Sequence, residues 1–328
     1  MAIETRKKTI IIFLVVFVCV IVAANLIRLS GHSSGVSVNV PSVYSTKKIA
    51  RINITGPIYN SDKVSGLLES YGKDNSIKAL ILRIDSPGGG VSACQEICAV
   101  LKKFKREVKN GGYGKPVVVS FGTVAASGGY YIGCYGDRIF ANPGTLTGSI
   151  GVIMDNLIYE DLMNKIGLKE EVIKSGKFKD TGSPARKYTT EERKLLQGVI
   201  DDVYSQFLDA IVEARGAVFS EHVKLEKKYP KETKVSAEEI REAIKRYSDG
   251  RIFTGHQAIE YGFVDEVGTL DDAIKYAAKL AKIEGEPEIV IQHKKPNVFD
   301  FVFRDNGETE EMFRGVFHKS GFSYLYGK

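Results

Sequence analysis

In "KALILRIDSPGGG", Lys78 to Gly90, a continuous apolar run leads directly into a glycine turn, and this segment is the most informative one for the fold class. The segment that follows, "SACQEICAVLKKFKREV" (residues 92–108), has the apolar spacing of a helix. Short strands that are apolar on both sides are typical of a parallel sheet covered by helices on both faces. The sequence therefore predicts a strand over residues 78–86 with a helix after it.

Further strands and helices alternate along the chain. The other predicted strands are "KIARINITG" (48–56), "KPVVVSFG" (115–122), "DRIFANP" (137–143), "GSIGVI" (148–153), "EEVIKSG" (170–176) and a closing pair, "RIFTG" (251–255) and "FVDEVG" (263–268). The other predicted helices are "KVSGLLESYGK" (63–73), "NLIYEDLMNKIG" (156–167) and a long helix that opens at Thr189 or Thr190. This alternation predicts an α/β domain over residues 47–293 with a mostly parallel sheet, followed by a C-terminal tail, residues 294–328.

The N-terminal region contains an uncharged apolar run, "TIIIFLVVFVCVIVAANLI" (9–27), of about the 20 residues that cross a bilayer as a helix. Arg6, Lys7 and Lys8 precede it, so the positive-inside rule places residues 1–8 in the cytoplasm and the rest outside the cell membrane. Residues 28–46 are rich in Ser, Gly and Val and are predicted to be a linker. A cleaved signal peptide ending near Ala24 is the alternative, although the run exceeds a usual signal core.

The composition excludes several classes of function. The net charge of +6 is spread along the chain, and its densest basic run (102–109) is typical of a solvated helix face, so no nucleic-acid partner is expected. No phosphate-binding glycine motif follows a strand, which leaves nucleotide binding without support. Cys94, Cys98 and Cys134 have no nearby histidine and form no zinc pattern. We expect buried thiols, no disulfide framework, and no cofactor or metal.

A lone serine, Ser127, stands in "GTVAASGGYYIG" (122–133) between two alanines and two glycines. Small neighbours suit a nucleophilic hydroxyl that a carbonyl must approach closely, with the Gly128 amide as a donor. They equally suit tight packing between a strand and a helix. The turn "DSPGGG" (85–90) has the same two interpretations, since its glycines can direct amides at an oxyanion or simply form a tight turn.

A nucleophilic serine needs a base, and the sequence offers few. No histidine lies between residues 33 and 221, so a triad is possible only through peripheral histidines such as His222 and His256. The segment "IKSGKFKDTGSP" (173–184) carries three lysines. A lysine is a base only when neutral, which requires an apolar environment that lowers its pKa by about three units, worth about 4 kcal/mol. On general grounds each lysine is more often a solvated surface residue.

Four motifs in order, "DSPGGG" (85–90), "ASGGYY" (126–131), "NPGTLTGSIGVI" (142–153) and "SGKFKD" (175–180), resemble the SppA-type signal peptide peptidases. These are membrane-anchored bacterial serine proteases with a ClpP/crotonase-like fold, and the resemblance covers about residues 46–293. It implies that Ser127 is the nucleophile, that Lys179 is the general base, and that Ser149 orients the lysine. Lys177 is the local alternative base. Gly128 and the Gly88–Gly89 turn would supply the oxyanion amides.

The resemblance also implies a substrate class and an assembly. Remnant signal peptides and other unfolded apolar peptides would be hydrolysed on the extracytoplasmic side, without a cofactor. Short members of the family form a ring-like homo-oligomer in which neighbouring subunits supply the serine and the lysine of one site. We further expect the ending "GFSYLYGK" (321–328) to dock in the site as a pseudo-substrate. The alternatives are an acyl-CoA enzyme on the same scaffold and a catalytically silent membrane scaffold that binds peptides or organises other proteases.

Overall fold

The computed structural model describes residues 47–291 and the backbone of residues 323–325. The predicted membrane anchor (9–27), its flanking segments and most of the tail lie outside the described residues. Within the described part, no helix is both long and apolar enough to cross a membrane. The strands are β1 Lys48–Thr55, β2 Ile77–Ser86, β3 Gly88–Gly90, β4 Val117–Ala126, β5 Arg138–Ala141, β6 Leu146–Gly148, β7 Ile252–Thr254, β8 Glu266–Val267, β9 Glu288–Ile291 and β10 Ser323–Leu325.

Helices separate most of these strands, and one helix is much longer than the others. The helices are α1 Asp62–Lys73, α2 Val91–Lys105, α3 Gly128–Gly133, α4 Glu160–Lys165, α5 Thr190–Lys227, α6 Ala237–Lys245, α7 Gly255–Glu260 and α8 Leu270–Leu280. The long helix α5 begins as predicted at the Thr189 N-cap, where the side chains of Thr189 and Glu192 each accept a hydrogen bond from the other residue's backbone N–H. This reciprocal cap satisfies two amides of the first turn.

Eight of the described strands form one sheet. Its main path runs β7-β6-β4-β2-β1-β9, while β5 pairs with β4 and β8. Every pairing in this sheet is parallel except β6 with β7. The predicted α/β architecture with a mostly parallel sheet is therefore confirmed.

Apolar side chains leave the strands alternately toward the two faces of the sheet. On β2, Leu80 and Leu82 join a large core with α1, α2, α3 and α5, whereas Ala79 and Ile81 face a smaller core with α8. Burial on both faces explains why the strand is apolar at nearly every position rather than at every second one. The strand order places β2 and β4 in the interior of the sheet, with neighbouring strands on both sides.

Three sequence predictions about strands were wrong. Of the strand predicted over residues 148–153, only Gly148 lies in a strand, as the last residue of β6, because the backbone leaves the extended conformation at Ser149, with φ 50°. Residues 170–176 contain no strand and are exposed, because their apolar side chains face solvent rather than a neighbouring strand. The predicted closing pair does not pair with itself: β7 adds antiparallel to β6, and the two-residue β8 adds parallel to β5. The helix predicted over residues 156–167 is also shorter, spanning only α4.

Candidate active site

The site lies where three neighbouring parallel strands end at the same edge of the sheet. Ser86 ends β2 opposite Ala125 of β4, and Ala126 at the end of β4 lies opposite Gly148 of β6. Ser127 and Ser149 are the residues that follow β4 and β6. Parallel sheets commonly present functional groups at this edge. The fold therefore brings Ser127, Ser149 and the glycine turn together, although they are separated in sequence.

Ser127 has an unusual backbone conformation, with φ 52° and ψ −117°, which a side chain rarely tolerates. Its amide donates to the Gly148 carbonyl at 2.8 Å, and its own carbonyl accepts from the Tyr131 amide at 2.8 Å. These two bonds hold the strain in place. The side chain is buried, and its Oγ has no hydrogen-bond partner among the described residues. A strained, unpartnered hydroxyl in a buried position is typical of a functional residue.

The glycines around Ser127 are required by close packing. A Cβ on Gly128 would lie 3.1 Å from the Gly89 nitrogen and 2.7 Å from the Cys94 Sγ. A Cβ on Gly89 would lie 2.0 Å from the Ile58 carbonyl oxygen. The backbone of Gly128 thus packs directly on the glycine turn. From the sequence, these glycines could permit tight packing or supply amides to an oxyanion. The contact between Gly128 and Gly89 shows that tight packing requires them.

The three amides of the glycine turn have different partners. The Gly88 amide donates to Ser86 Oγ at 3.1 Å, and the Gly90 amide donates to the Ile58 carbonyl at 2.7 Å. Because successive N–H groups of a strand point to opposite sides, the Gly89 amide points away from Ile58, toward the other edge of β3. The resemblance implies oxyanion amides at Gly88 and Gly89. Of these two, the Gly89 amide faces the edge of β3 where a peptide substrate could bind. Ser86, which was not predicted as a site residue, accepts the hydrogen bond of the Gly88 amide.

The other edge of β3 carries a segment of the C-terminal tail. Residues 323–325 run antiparallel to β3, with Ser323 opposite Gly90, Tyr324 opposite Gly89 and Leu325 opposite Gly88. Adding an extended segment to a free strand edge is a common mode of peptide binding, in which the main chain supplies the hydrogen bonds. A segment of the chain itself therefore occupies the position that an extended peptide would take beside Gly89.

Ser149 follows Gly148, whose carbonyl accepts the hydrogen bond from the Ser127 amide. Its φ of 50° is also positive, and its amide donates to the Arg251 carbonyl at 2.8 Å. The side chain is buried, with 8% of its surface exposed. The structure thus places Ser149 one residue from the Gly148 carbonyl that binds the Ser127 amide. A hydroxyl can both donate and accept a hydrogen bond.

Lys179 lies on an exposed turn, and its amide donates to the Gly176 carbonyl at 3.1 Å. Since Ser127 Oγ has no hydrogen-bond partner among residues 47–291, the structure does not join these two side chains within that part of the chain. Lys177, the alternative base, is also exposed and forms an ion pair with Glu191.

The described histidines and cysteines do not supply a base or a second nucleophile. His222 packs against Gly262, and His256 lies 3.8 Å from Glu260. Burial raises the pKa of the Cys94 thiol to about 12, so this thiol is protonated at neutral pH although it contacts the site. The described residues contain no group of three or more histidine, cysteine or carboxylate side chains suited to a metal ion.

Known proteins resemble this chain over most of its length. A Synechocystis protein named as a proposed protease is 40% identical over 240 residues, which cover 73% of this chain and 76% of that protein. A proposed signal peptide peptidase SppA of Enterococcus faecium is 31% identical over 86% of this chain and 82% of its own length. The chloroplastic serine protease SPPA of Arabidopsis thaliana is 34% identical over 66% of this chain and 28% of its own.

The family assignment rests on a match that includes Ser127 and the proposed base, Lys179. Peptidase family S49 matches residues 110–228 and 231–284, more than half of the chain. The matched range contains Ser127, Ser149 and Lys179. Together with the SppA relatives, this match shows that the chain belongs to peptidase family S49 and is a serine protease of the SppA type.

Proposed function

We propose that the protein is a membrane-anchored endopeptidase that uses a Ser127–Lys179 dyad. The observation that carries this proposal is the Ser127 hydroxyl: it is buried, strained and unpartnered among the described residues, and it is next to the Gly128 amide. Neutral Lys179 takes the Ser127 proton, and Oγ attacks the peptide carbonyl. The lysinium then returns the proton to the leaving amine, and the acyl-enzyme forms with the new C–O bond.

Water completes the reaction. Neutral Lys179 removes a proton from the water, the hydroxide attacks the ester carbonyl, and Ser127 leaves as the hydroxyl after receiving the proton from Lys179. The Gly128 and Gly89 amides would bind the oxyanion in both halves of the reaction. Ser149, beside the nucleophile, would accept a hydrogen bond from Lys179 and orient it.

The base is proposed to come from a neighbouring subunit of a ring-like homo-oligomer. Lys179 is exposed in the single chain, and the same region carries many exposed apolar side chains: Ile153, Leu157, Leu162, Ile166, Leu168, Val172, Ile173 and Phe178. Such a concentration on one region of a soluble domain is typical of a surface that a partner covers. Covering it would also remove water from around Lys179 and lower the pKa of its amine.

Mixing two inactive variants tests this arrangement. Ser127→Ala and Lys179→Ala are each expected to be inactive. If each site takes its serine and its lysine from different subunits, an equal, fully exchanged mixture restores about a quarter of the wild-type sites. A mixture that stays inactive, although native mass spectrometry shows mixed oligomers, would contradict the shared site. A control mixture of Ser127→Ala with Ser127→Gly must remain inactive.

The substrate class is proposed from the open edge of β3 and from the N-terminal run. An extended peptide that adds to β3 is bound through main-chain hydrogen bonds. This mode of binding suits unfolded peptides of varied sequence. The apolar run at residues 9–27 would hold the domain at the extracytoplasmic face of the membrane, where remnant signal peptides are released. A fluorophosphonate probe separates this enzyme from a silent scaffold: labelling lost in Ser127→Ala is expected, and absence of labelling in the assembled wild type would contradict the proposal.

A further inference from the structure

The turn that carries Lys179 is held by an arginine, Arg186, that belongs to none of the sequence motifs. The Arg186 Nε donates to Asp180 Oδ2 at 3.0 Å, and its two terminal nitrogens donate to the two oxygens of Glu192 at 2.8 Å and 2.5 Å. Asp180 is the residue directly after Lys179. One guanidinium therefore joins Asp180, the residue after the proposed base, to Glu192 in the first turn of α5.

Glu192 makes this connection rigid. Its side chain is only 2% exposed, it accepts from the Thr189 amide at 2.8 Å in the helix cap, and it accepts from Thr181 Oγ1 at 3.0 Å. Thr181 is two residues after Lys179. The turn is thus attached to α5 on the C-terminal side of Lys179 through both Asp180 and Thr181. Bidentate pairs between arginine and carboxylate fix orientation as well as distance.

The same contacts neutralise a charge that opposes catalysis. A free carboxylate next to Lys179 would favour the ammonium form, which cannot act as a base. Lys174 Nζ donates to Asp180 Oδ1 at 2.6 Å, so Asp180 lies between two cations, Lys174 and Arg186. These partners hold the pKa of the Asp180 carboxyl well below its usual range, with Arg186 as the largest cause. The carboxylate charge is therefore already matched before a substrate arrives.

We infer that Arg186 is a positioning residue for the general base: it fixes the Lys179 turn on α5 and cancels the charge of Asp180, the residue that follows Lys179. This inference rests on the proposed Lys179 base and adds a requirement to it. The ion-paired groups on the turn and at the start of α5 are Lys174, Lys177, Asp180, Arg186, Glu191 and Glu192, and the same region also carries Glu170, Lys187, Arg193 and Lys194. Lys177 and Glu191 pair with each other, whereas the Asp180–Arg186–Glu192 chain begins at the residue directly after Lys179.

The test compares the pH profile of kcat/KM in assembled wild type and in Arg186→Gln. Losing the guanidinium leaves Asp180 less neutralised, so the lysine holds its proton more strongly and the acid limb moves up by about one pH unit. The double variant Arg186→Gln/Asp180→Asn removes the carboxylate and returns the limb toward the wild-type position. Arg193→Gln, which removes an exposed arginine of α5 outside this cluster, is the matched control and leaves the limb in place.

A purely structural role gives a different pattern. It would lower kcat/KM by the same factor at every pH, with no rescue in the double variant, and that result would overturn the inference. If Arg186→Gln does not assemble, Lys174→Gln is measured instead, because it removes the second cation that pairs with Asp180 and its side chain is partly exposed. The acid limb of its kcat/KM profile should shift upward by less than one pH unit. An acid limb that does not shift overturns the inference. Lys179→Ala is measured in parallel. Wild-type turnover in Lys179→Ala refutes the proposed dyad itself, whereas an inactive Lys179→Ala with an unshifted Arg186→Gln refutes only the role of Arg186.

Discussion

Gly128 and Gly89 pack backbone to backbone: a Cβ built on Gly128 would lie 3.1 Å from the Gly89 nitrogen. This approach puts the two amides proposed for the oxyanion on facing segments that follow β4 and β2. A methyl group at Gly128 must push the segments apart, since its other neighbour, the Cys94 Sγ, would be 2.7 Å away. Adding a Cβ at Gly128 would therefore change the distance between the Gly128 and Gly89 amides.

Gly128→Ala is therefore expected to reduce kcat by about 10²-fold, which is the effect of losing one oxyanion donor. The measurement is kcat on a short peptide ester, with thermal unfolding and oligomer size as checks on the fold. Gly198→Ala is the matched control, because a Cβ at this α5 position meets nothing within 4 Å. A folded Gly128→Ala oligomer with wild-type kcat would show that these amides do not bind the oxyanion.

Lys179 and Lys177 are two residues apart on the same exposed turn, which allows a direct comparison. Lys179→Ala is expected to lower kcat/KM by about 10²-fold to 10⁴-fold, the usual contribution of a general base. Lys177→Ala should stay near wild type, because Lys177 is paired with Glu191 on the surface. The rate of Ser127 labelling by a fluorophosphonate should fall in parallel with the first variant only. The reverse order would assign the base to Lys177.

The sequence predicted the sheet because its central strands are buried on both faces. Leu80 and Ile81 both point into packed cores, so β2 is apolar throughout and its type is unambiguous. The segment 170–176 also contains β-branched residues, yet Val172 and Ile173 are exposed and no strand forms. Local composition does not reveal whether a neighbouring strand is present, and that is a property of the tertiary fold.

The candidate site was predictable in its residue types but not in its connections. Small residues around Ser127 indicate a close approach, and the fold supplies it through Gly89. The choice of Gly89 over Gly88 depends on Ile58, which occupies one edge of β3 and lies about thirty residues away in sequence. Arg186 carries no motif of its own. Its role follows from contacts with Asp180 and Glu192 that only the folded turn creates.

Stability at acid pH should depend on Glu192. The Arg186 guanidinium, followed by the Thr189 amide, holds the pKa of this carboxyl well below its ordinary value of 4.5. A group with a lowered folded-state pKa contributes stability above its unfolded value, and the contribution is lost as the pH falls through the folded value. Urea unfolding should therefore show that Glu192→Gln is less stable than wild type at pH 7, with a smaller difference at low pH.

The neighbouring Glu191→Gln variant is the control for Glu192→Gln. Its carboxylate pairs with Lys177 on the surface, where ion pairs contribute little, so its stability should follow the wild type at both pH values. An equal loss of stability in Glu192→Gln at neutral and acid pH would mean that shape rather than charge is responsible.

The strain at Ser127 predicts an inverted order of stability. Glycine normally destabilises a folded chain relative to alanine, by roughly 0.5–1 kcal/mol, because it gains more freedom on unfolding. At φ 52° and ψ −117° a Cβ is disfavoured, so Ser127→Gly should be more stable than Ser127→Ala by about 1 kcal/mol, while both are inactive. Ser120, in the regular part of β4, should show the ordinary order in the same urea experiment. The ordinary order at Ser127 would mean that its conformation is not strained.

The tail segment opposite β3 should compete with substrate. Because Tyr324 lies opposite Gly89, the backbone of residues 323–325 uses the edge that an incoming peptide needs. Deleting residues 321–328 should lower KM for a short peptide by about two-fold or more, since the free edge is then populated more often. Tyr324→Pro should act in the same direction, because proline removes the backbone N–H at the paired position.

A synthetic peptide "GFSYLYGK" added to the truncated enzyme should restore the higher KM competitively, and the same peptide with proline at the Tyr324 position should not. In the full-length protein the segment should also be cleaved slowly by an added protease, and faster after Tyr324→Pro. Unchanged KM in the deletion variant, together with unchanged cleavage in Tyr324→Pro, would show that the pairing has no effect on the site in solution.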